Sequence, residues 1–227
     1  MPFSTIIYIL NNTRHIIFYP FTMIAFYLTN KCLSAQIRDT ARCDEKRLSY
    51  ISTNISKGIF LSLITSIFVY FRMKHNFQLS DIKTWDMHYE TLLKNVICIY
   101  TSTDIVGLFI NKKMERSTIV HHVCVFVTQC ILNLIPINTA IFGSFLGFGA
   151  FSSMSFIVNL YLGLRFFYKV NGLKCTSAII YALSISCNMK YQYNILKRAS
   201  LYESFVIVPF LAMWFYDDFK LLRFLLR

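Results

Sequence analysis

Glycine and proline are scarce in this chain, seven and four among 227 residues. That scarcity excludes collagen-like and Pro/Gly-rich disordered classes. Charge is scarce too. Asp, Glu, Lys and Arg make up 15% of the residues, where an ordinary soluble domain carries about 25%. Acids are the rarer part, 11 against 23 Lys and Arg, and none occurs between Arg116 and Glu203. The seven cysteines form no C-x-x-C pair. Cys98, Cys124, Cys130 and Cys187 lie inside apolar runs, where a thiol acts as a small hydrophobe. Neither a disulfide framework nor a structural zinc site is expected. Met1 to Leu10 lacks a basic leader and a small-residue cleavage site, so the first apolar segment is expected to stay as an anchor. Asn11 and Asn54 head N-x-[ST] sequons, both close to apolar runs.

What is abundant is apolar surface. Hydrophobic residues reach 56% and mean hydropathy is +0.50. Ile, Phe, Tyr, Asn and Lys dominate, a bias that suggests an AT-rich genome. The net charge of +12 would point to nucleic acid in a soluble protein. Here the basic residues sit in short loops between apolar runs, and no stretch outside those runs mixes them with stacking aromatics. Membrane topology and attraction to anionic headgroups explain them better; no nucleic-acid partner is expected.

A membrane-spanning helix needs about 20 apolar residues at about 1.5 Å rise each. The first such run covers about 6–29, with Arg14 and His15 offering a later start at His15. Others follow at about 55–71, 93–110 and 117–135. The stretch 137–168 would be about 48 Å long as one helix, beyond the hydrocarbon core. Gly143, Gly147 and Gly149 offer a break, giving a lead-in at 137–146 and a span from Gly147. The last two spans fall at about 176–189 and 201–216. With seven spans, 15 Lys/Arg collect on one side and 8 on the other; splitting 137–168 into two spans gives 12 against 11. The positive-inside rule thus predicts an all-α, polytopic transmembrane bundle of about seven spans with a cytoplasmic C-terminus. Residues 30–54 read as a polar cytoplasmic connector or an interfacial helix.

Three ionisable residues sit where a membrane makes them costly. Asp104 lies in the third span, His121 and His122 in the fourth. The loop NKKMERS is short, so these spans are antiparallel neighbours. Asp104 is about 10 Å and His121 about 6 Å from the loop along the axes, which matches their depths. A carboxylate–imidazole contact would orient the ring and raise its basicity, as in general-base sites. The same pair could instead lock two helices together. Adjacent histidines diverge by about 100° on a helix, unlike the i, i+4 arrangement of zinc ligands, so no metal is expected and at most one ring should face the core squarely. Gln129, Asn133, Asn159 and Arg165 complete the polar residues within apolar runs. Asn159 suits a cavity wall or a cross-helix bond; Arg165 suits a headgroup contact from a span end.

Tyr100, Asp104, Asn111-Lys112-Lys113 and His121-His122 together resemble the TLC family of membrane proteins, which includes ceramide synthases and the translocating-chain-associating membrane protein. Phe156 and Asn159 are similar to that family's later Phe-x-Asn, and Trp214, Phe215, Tyr216 and Lys220 to its closing motif. The resemblance covers about residues 50–220. It implies an N-terminal anchor and cytoplasmic loop over 1–48, a TLC-like transmembrane domain over 49–220 and a basic tail over 221–227. It also implies location in the endoplasmic reticulum or another endomembrane, and membrane lipids as partners.

The resemblance further implies a lipid-accessible cavity lined by Asp104, His121, His122 and Asn159, serving lipid binding or membrane-lipid homeostasis. The rival it implies is a lipid N-acyltransferase of ceramide-synthase type. There His121 or His122 would be base or transient acyl acceptor, Asp104 its orienter, and acyl-CoA a substrate; no cofactor is otherwise expected. Ceramide synthases carry an acidic pair in the helix after His-His. Gly149 and Ser152 stand at those positions here, which favours the lipid-binding reading over acyl transfer to a sphingoid base. A third class is a passive structural or translocon-associated membrane protein.

Overall fold

The computed structural model describes residues 3–41, 44–75, 89–110, 116–168 and 170–227. Loop residues 111–115, with the basic pair Lys112 and Lys113, and Cys43 lie outside them. Among the described residues the secondary structure is helical throughout. In chain order the helices are α1 (Phe3–Asn12), α2 (His15–Ala41), α3 (Glu45–His75), α4 (Glu90–Ile110) and α5 (Arg116–Leu134). They continue as α6 (Ala140–Ser153), α7 (Phe156–Leu164), α8 (Asn171–Leu196) and α9 (Leu201–Leu226).

Four helical stretches are long and apolar enough to cross a membrane: His15–Arg38, Glu45–Lys74, Glu90–Ile110 and Ala140–Leu164. Thr118–Leu134 in α5 is a shorter apolar helix. Large apolar side chains such as Ile16, Ile17, Phe21, Phe205 and Leu201 lie exposed, far more than a water-soluble surface carries. These features are those of an integral membrane protein. At 26 residues each, α8 and α9 are about 39 Å long. Polar residues such as Lys174, Asn188 and Gln192 in α8, and Glu203, Asp217 and Asp218 in α9, dilute their hydropathy.

The helix α4 is the axle of the bundle. Its span is 78% buried, against 17% for α2 at the periphery. It touches α1, α2, α3, α5 and α6. Close backbone approach fixes its surroundings. Gly58 of α3 faces Leu160 and the Phe156 carbonyl of α7, and Gly163 of α7 faces Ile55 and the Ile51 carbonyl of α3. Small residues at such crossings let membrane helices gain van der Waals contact that longer side chains would prevent. Between α6 and α8 a buried polar lattice does similar work. Gln192 accepts from the Ser144 hydroxyl at 2.7 Å and donates to the Ser144 carbonyl at 2.9 Å and to Asn188 at 3.1 Å.

Two sequence expectations are corrected. Of residues 30–54, those described are mostly helical: 30–41 end α2 and 45–54 open α3, so the polar segment is not a loop throughout, and residue 48 lies inside α3. Polar residues on a helix projecting beyond the apolar slab satisfy their backbone internally, so low hydropathy does not end the helix. The break in 137–168 comes at Met154–Ser155, not at the glycines. Gly147 instead receives the Tyr191 ring: an added Cβ would lie 2.0 Å from Tyr191 Cε1. At the break, Met154 and Ser155 donate back three residues, to the Phe151 and Ser152 carbonyls. Ser153 Oγ donates to the Ala150 carbonyl at 2.7 Å. Serines that bond the preceding turn bend helices in this way.

Capping sets the far end of the bundle. Ser200 and Glu203 form a reciprocal capping box at the start of α9, and Glu203 also accepts from the Ala140 amide at 2.8 Å. One carboxylate thus ties the first turns of α6 and α9 together.

Candidate functional site

Asp104 is the centre. It is completely buried near the C-terminal end of α4, and its Oδ1 accepts from the Lys57 ammonium of α3. The same oxygen lies 3.1 Å from His122 Nδ1 on α5. The matched depth inferred from loop length therefore brings Asp104 and His122 into contact. The second oxygen, Oδ2, is buried with no hydrogen-bond partner among the described residues.

His121 turns to a different carboxylate. Its Nδ1 lies 2.9 Å from Asp217 Oδ2 on α9. The two imidazole rings stand almost perpendicular, with centroids 5.5 Å apart. Only His122 is buried, and His121 is partly exposed, so one ring alone faces the core squarely. Their divergence on the helix directs the two rings to acids on opposite neighbours, α4 and α9. Beside Asp217, Asp218 Oδ1 accepts from the Tyr181 hydroxyl of α8 at 2.5 Å. The cluster therefore joins five helices through polar contacts: α3, α4, α5, α8 and α9.

The acids of the cluster other than Asp104 come from outside the region of Gly149 and Ser152. No acid follows His122 for 80 residues, yet Asp217 and Asp218 arrive from the last helix. Lys57, Asp217, Asp218 and Tyr181 went unrecognised in the sequence. The signal for the acids was the adjacent pair directly after Trp-Phe-Tyr, read as lying just past a span that ended at 216. Lys57 was counted only as a basic loop residue.

Among the described residues Asn159 makes no hydrogen bond to the cluster. Its Nδ2 donates to the Ser155 carbonyl at 2.9 Å and to Ser155 Oγ at 3.4 Å, bracing the first turn of α7. Gln129 makes the cross-helix bonds instead, accepting from Thr101 at 3.1 Å and donating to Asn133 at 3.1 Å and Cys98 Sγ at 3.3 Å.

An apolar pocket lies next to the charged cluster. Its empty volume, counting space at the mouth, is about 430 Å³, and its walls include Tyr100, Val125, Thr128, Phe148, Gly149 and Trp214. The relative position follows from helix geometry. Tyr100 precedes Asp104 by four residues on α4. Val125 follows His121 by four on α5. Trp214 precedes Asp217 by three on α9. Residues three and four apart share a helix face, so each helix places a pocket wall one turn, about 5.4 Å, from its charged residue. The lining of this pocket does not include Asp104, His121, His122 or Asn159; by helix spacing the charged residues lie one turn beyond its walls. Gly149 is a wall residue, and Ser152 lies near the Tyr100 hydroxyl. The two positions at which the resemblance placed an acidic pair thus border this same region.

Chemically, each Nδ1 lies at contact distance from a carboxylate, 2.9 Å for His121 and 3.1 Å for His122, but without hydrogen-bond alignment; imidazoles beside carboxylates are the groups from which a general base or nucleophile is built. Asp104, His121 and His122 also bring ligand atoms within 4.8 Å of one another. Lys57 already supplies a positive charge at Asp104, which a cation there would have to oppose. Comparison with family models, with curated proteins and with solved structures gives no match.

Proposed function

We propose that this chain is a TLC-like integral membrane protein that binds a membrane lipid inside its helical bundle, in lipid binding or membrane-lipid homeostasis. The lipid's chain occupies the pocket beneath Tyr100 and Trp214, and its polar end meets Lys57, Asp104, His122, His121 and Asp217. The observation that carries this is the stacking of charged cap and apolar pocket on the same three helices, α4, α5 and α9. An amphiphile has that order of polarity. In this reading the chain makes seven passes, with α6 and α7 together forming one. The ends of α4 and α9 and the starts of α3 and α5 then share the cytoplasmic side of an endomembrane such as the endoplasmic reticulum.

The test uses Gly149. An added Cβ there meets nothing within 4 Å, so Gly149→Leu fills the pocket without moving the backbone. Mass spectrometry of purified protein should find a co-purifying lipid in the wild type and little in Gly149→Leu. Equal lipid content in both proteins would sink the reading.

A second reading is acyl transfer of the ceramide-synthase kind, with acyl-CoA as donor. The pairing of each imidazole with its own carboxylate favours it. Amide formation from acyl-CoA and sphinganine, abolished by His121→Ala or His122→Ala, would establish it over binding alone.

A further inference from the structure

Trp214 presents a polar group that the fold leaves unused. The side chain is 2% exposed, it forms part of the pocket wall, and its indole N–H is buried without a hydrogen-bond partner among the described residues. Its ring is held in place by three phenylalanines. Phe148 lies at 4.3 Å between centroids, Phe145 at 5.3 Å and Phe210 at 5.7 Å. An indole N–H can only donate. Buried donors in native structures are nearly always paired, and an unpaired one calls for an explanation. A ligand acceptor in the pocket supplies it.

Position narrows the acceptor. Trp214 sits one turn of α9, about 5.4 Å, below Asp217 and Asp218, at the junction of the charged cap and the apolar pocket. In a lipid lying with its head in the cap, the atoms at that junction are those joining head to chain. In acyl lipids the group there is a carbonyl, and its oxygen accepts hydrogen bonds well. In alkyl ether lipids the chain continues without one.

We propose that Trp214 is the carbonyl-binding residue of this site, and that the ligand is an acyl lipid, an ester, amide or thioester, in preference to an alkyl or ether lipid. The inference rests on the reading of the pocket as a lipid site. Trp214 positions the carbonyl within reach of the His121 and His122 rings, and so selects the ligand whether or not it reacts.

The experiment compares 1-lauroylglycerol with 1-dodecylglycerol, which share chain length and headgroup and differ in the carbonyl. Occupancy is measured by native mass spectrometry of full-length protein from nanodiscs doped with either one, for the wild type and for Trp214→Phe. Phenylalanine keeps an aromatic ring against Phe148 and removes the N–H. The wild type should favour the acyl form by about three- to tenfold, the range expected for one hydrogen bond. Trp214→Phe should bind both forms equally, at the wild-type level for the ether. A wild type that binds both forms alike, or a Trp214→Phe variant that keeps the acyl preference, overturns the assignment while leaving the lipid site standing. Binding of neither form by a folded wild type removes the lipid site itself. Should Trp214→Phe fail to fold, Trp214→His, whose ring offers an N–H in the same region, is the replacement. It should keep an acyl preference, and loss of that preference counts against the proposal.

Discussion

Removing the Lys57 ammonium should be among the most destabilising single changes in this protein. Asp104 has no exposure at all and Lys57 has a side-chain exposure of 21%. The carboxylate half of the pair is therefore shielded from the water that makes surface ion pairs worth little. Breaking a buried pair by deleting one partner leaves the other charge uncompensated and typically costs about 3–5 kcal/mol. His122 Nδ1, 3.1 Å from the Asp104 carboxylate, remains as a polar neighbour and limits the damage. Lys57→Met is therefore expected at about 3 kcal/mol, the lower end of that range. Lys57→Met with Asp104→Asn removes both charges and keeps the volume nearly constant, and should return to within about 1 kcal/mol of the wild type. The coupling from this double-mutant cycle should then exceed 1 kcal/mol. Denaturant-dependent unfolding of the protein in mild detergent micelles measures all four species. Should Lys57→Met cost under about 0.5 kcal/mol, the value of a surface pair, or should the double variant cost the sum of its parts, the central ion pair does not exist as described.

Two further expectations follow from the geometry. Gly147→Ala drives a methyl group to 2.0 Å from Tyr191 Cε1 and should lower stability by about 1–3 kcal/mol, whereas Gly149→Ala, with open space around its Cβ, should be neutral or slightly stabilising through its higher helix propensity. Thermal melts of the two variants in one detergent separate the cases, and equal losses would contradict the packing between α6 and α8. A glycosylation acceptor appended after Arg227 should remain unmodified in microsomes, as a cytoplasmic C-terminus requires; efficient modification would place that end in the lumen and reverse the topology.

The elements most legible in the sequence were the two that meet at the short charged loop. The runs at 93–110 and 117–135 correspond to α4 at Glu90–Ile110 and α5 at Arg116–Leu134. There a short polar loop marks both where apolar residues stop and where the helices stop. Elsewhere the two limits separate. Hydropathy reports where a helix leaves the slab, whereas backbone hydrogen bonding decides where it ends. This is why the polar ends of α2 and α3 were read as a loop. Glycine was ambiguous in a different way. Gly143, Gly147 and Gly149 suggested a break through their flexibility, but in an apolar environment a missing side chain serves close approach at least as often. Only the partner, Tyr191 on α8, reveals which use applies.

The candidate site shows the same limit at the level of chemistry. Asp104, His121 and His122 were legible because ionisable residues inside apolar runs are conspicuous, and because one short loop constrains α4 and α5 to similar depths. Lys57 and the Asp217–Asp218 pair stand at the margins of their apolar runs, where charged residues are ordinary and carry no signal. Their role depends on depth in three dimensions. Within the 31 residues of α3, twelve residues separate Lys57 from the start of the helix, a rise of about 18 Å. Because the helix starts that far back, its thirteenth residue reaches the level of Asp104. Likewise α9 continues to Leu226, past the apolar run that ended at 216, so its acids remain inside the bundle against α5 and α8. A charge at the apparent edge of a hydrophobic run can therefore be a buried charge when the helix outlasts the run. In this bundle the outlasting helices are the ones that complete the pairing: Lys57 balances Asp104, and Asp217 engages the imidazole that Asp104 does not reach.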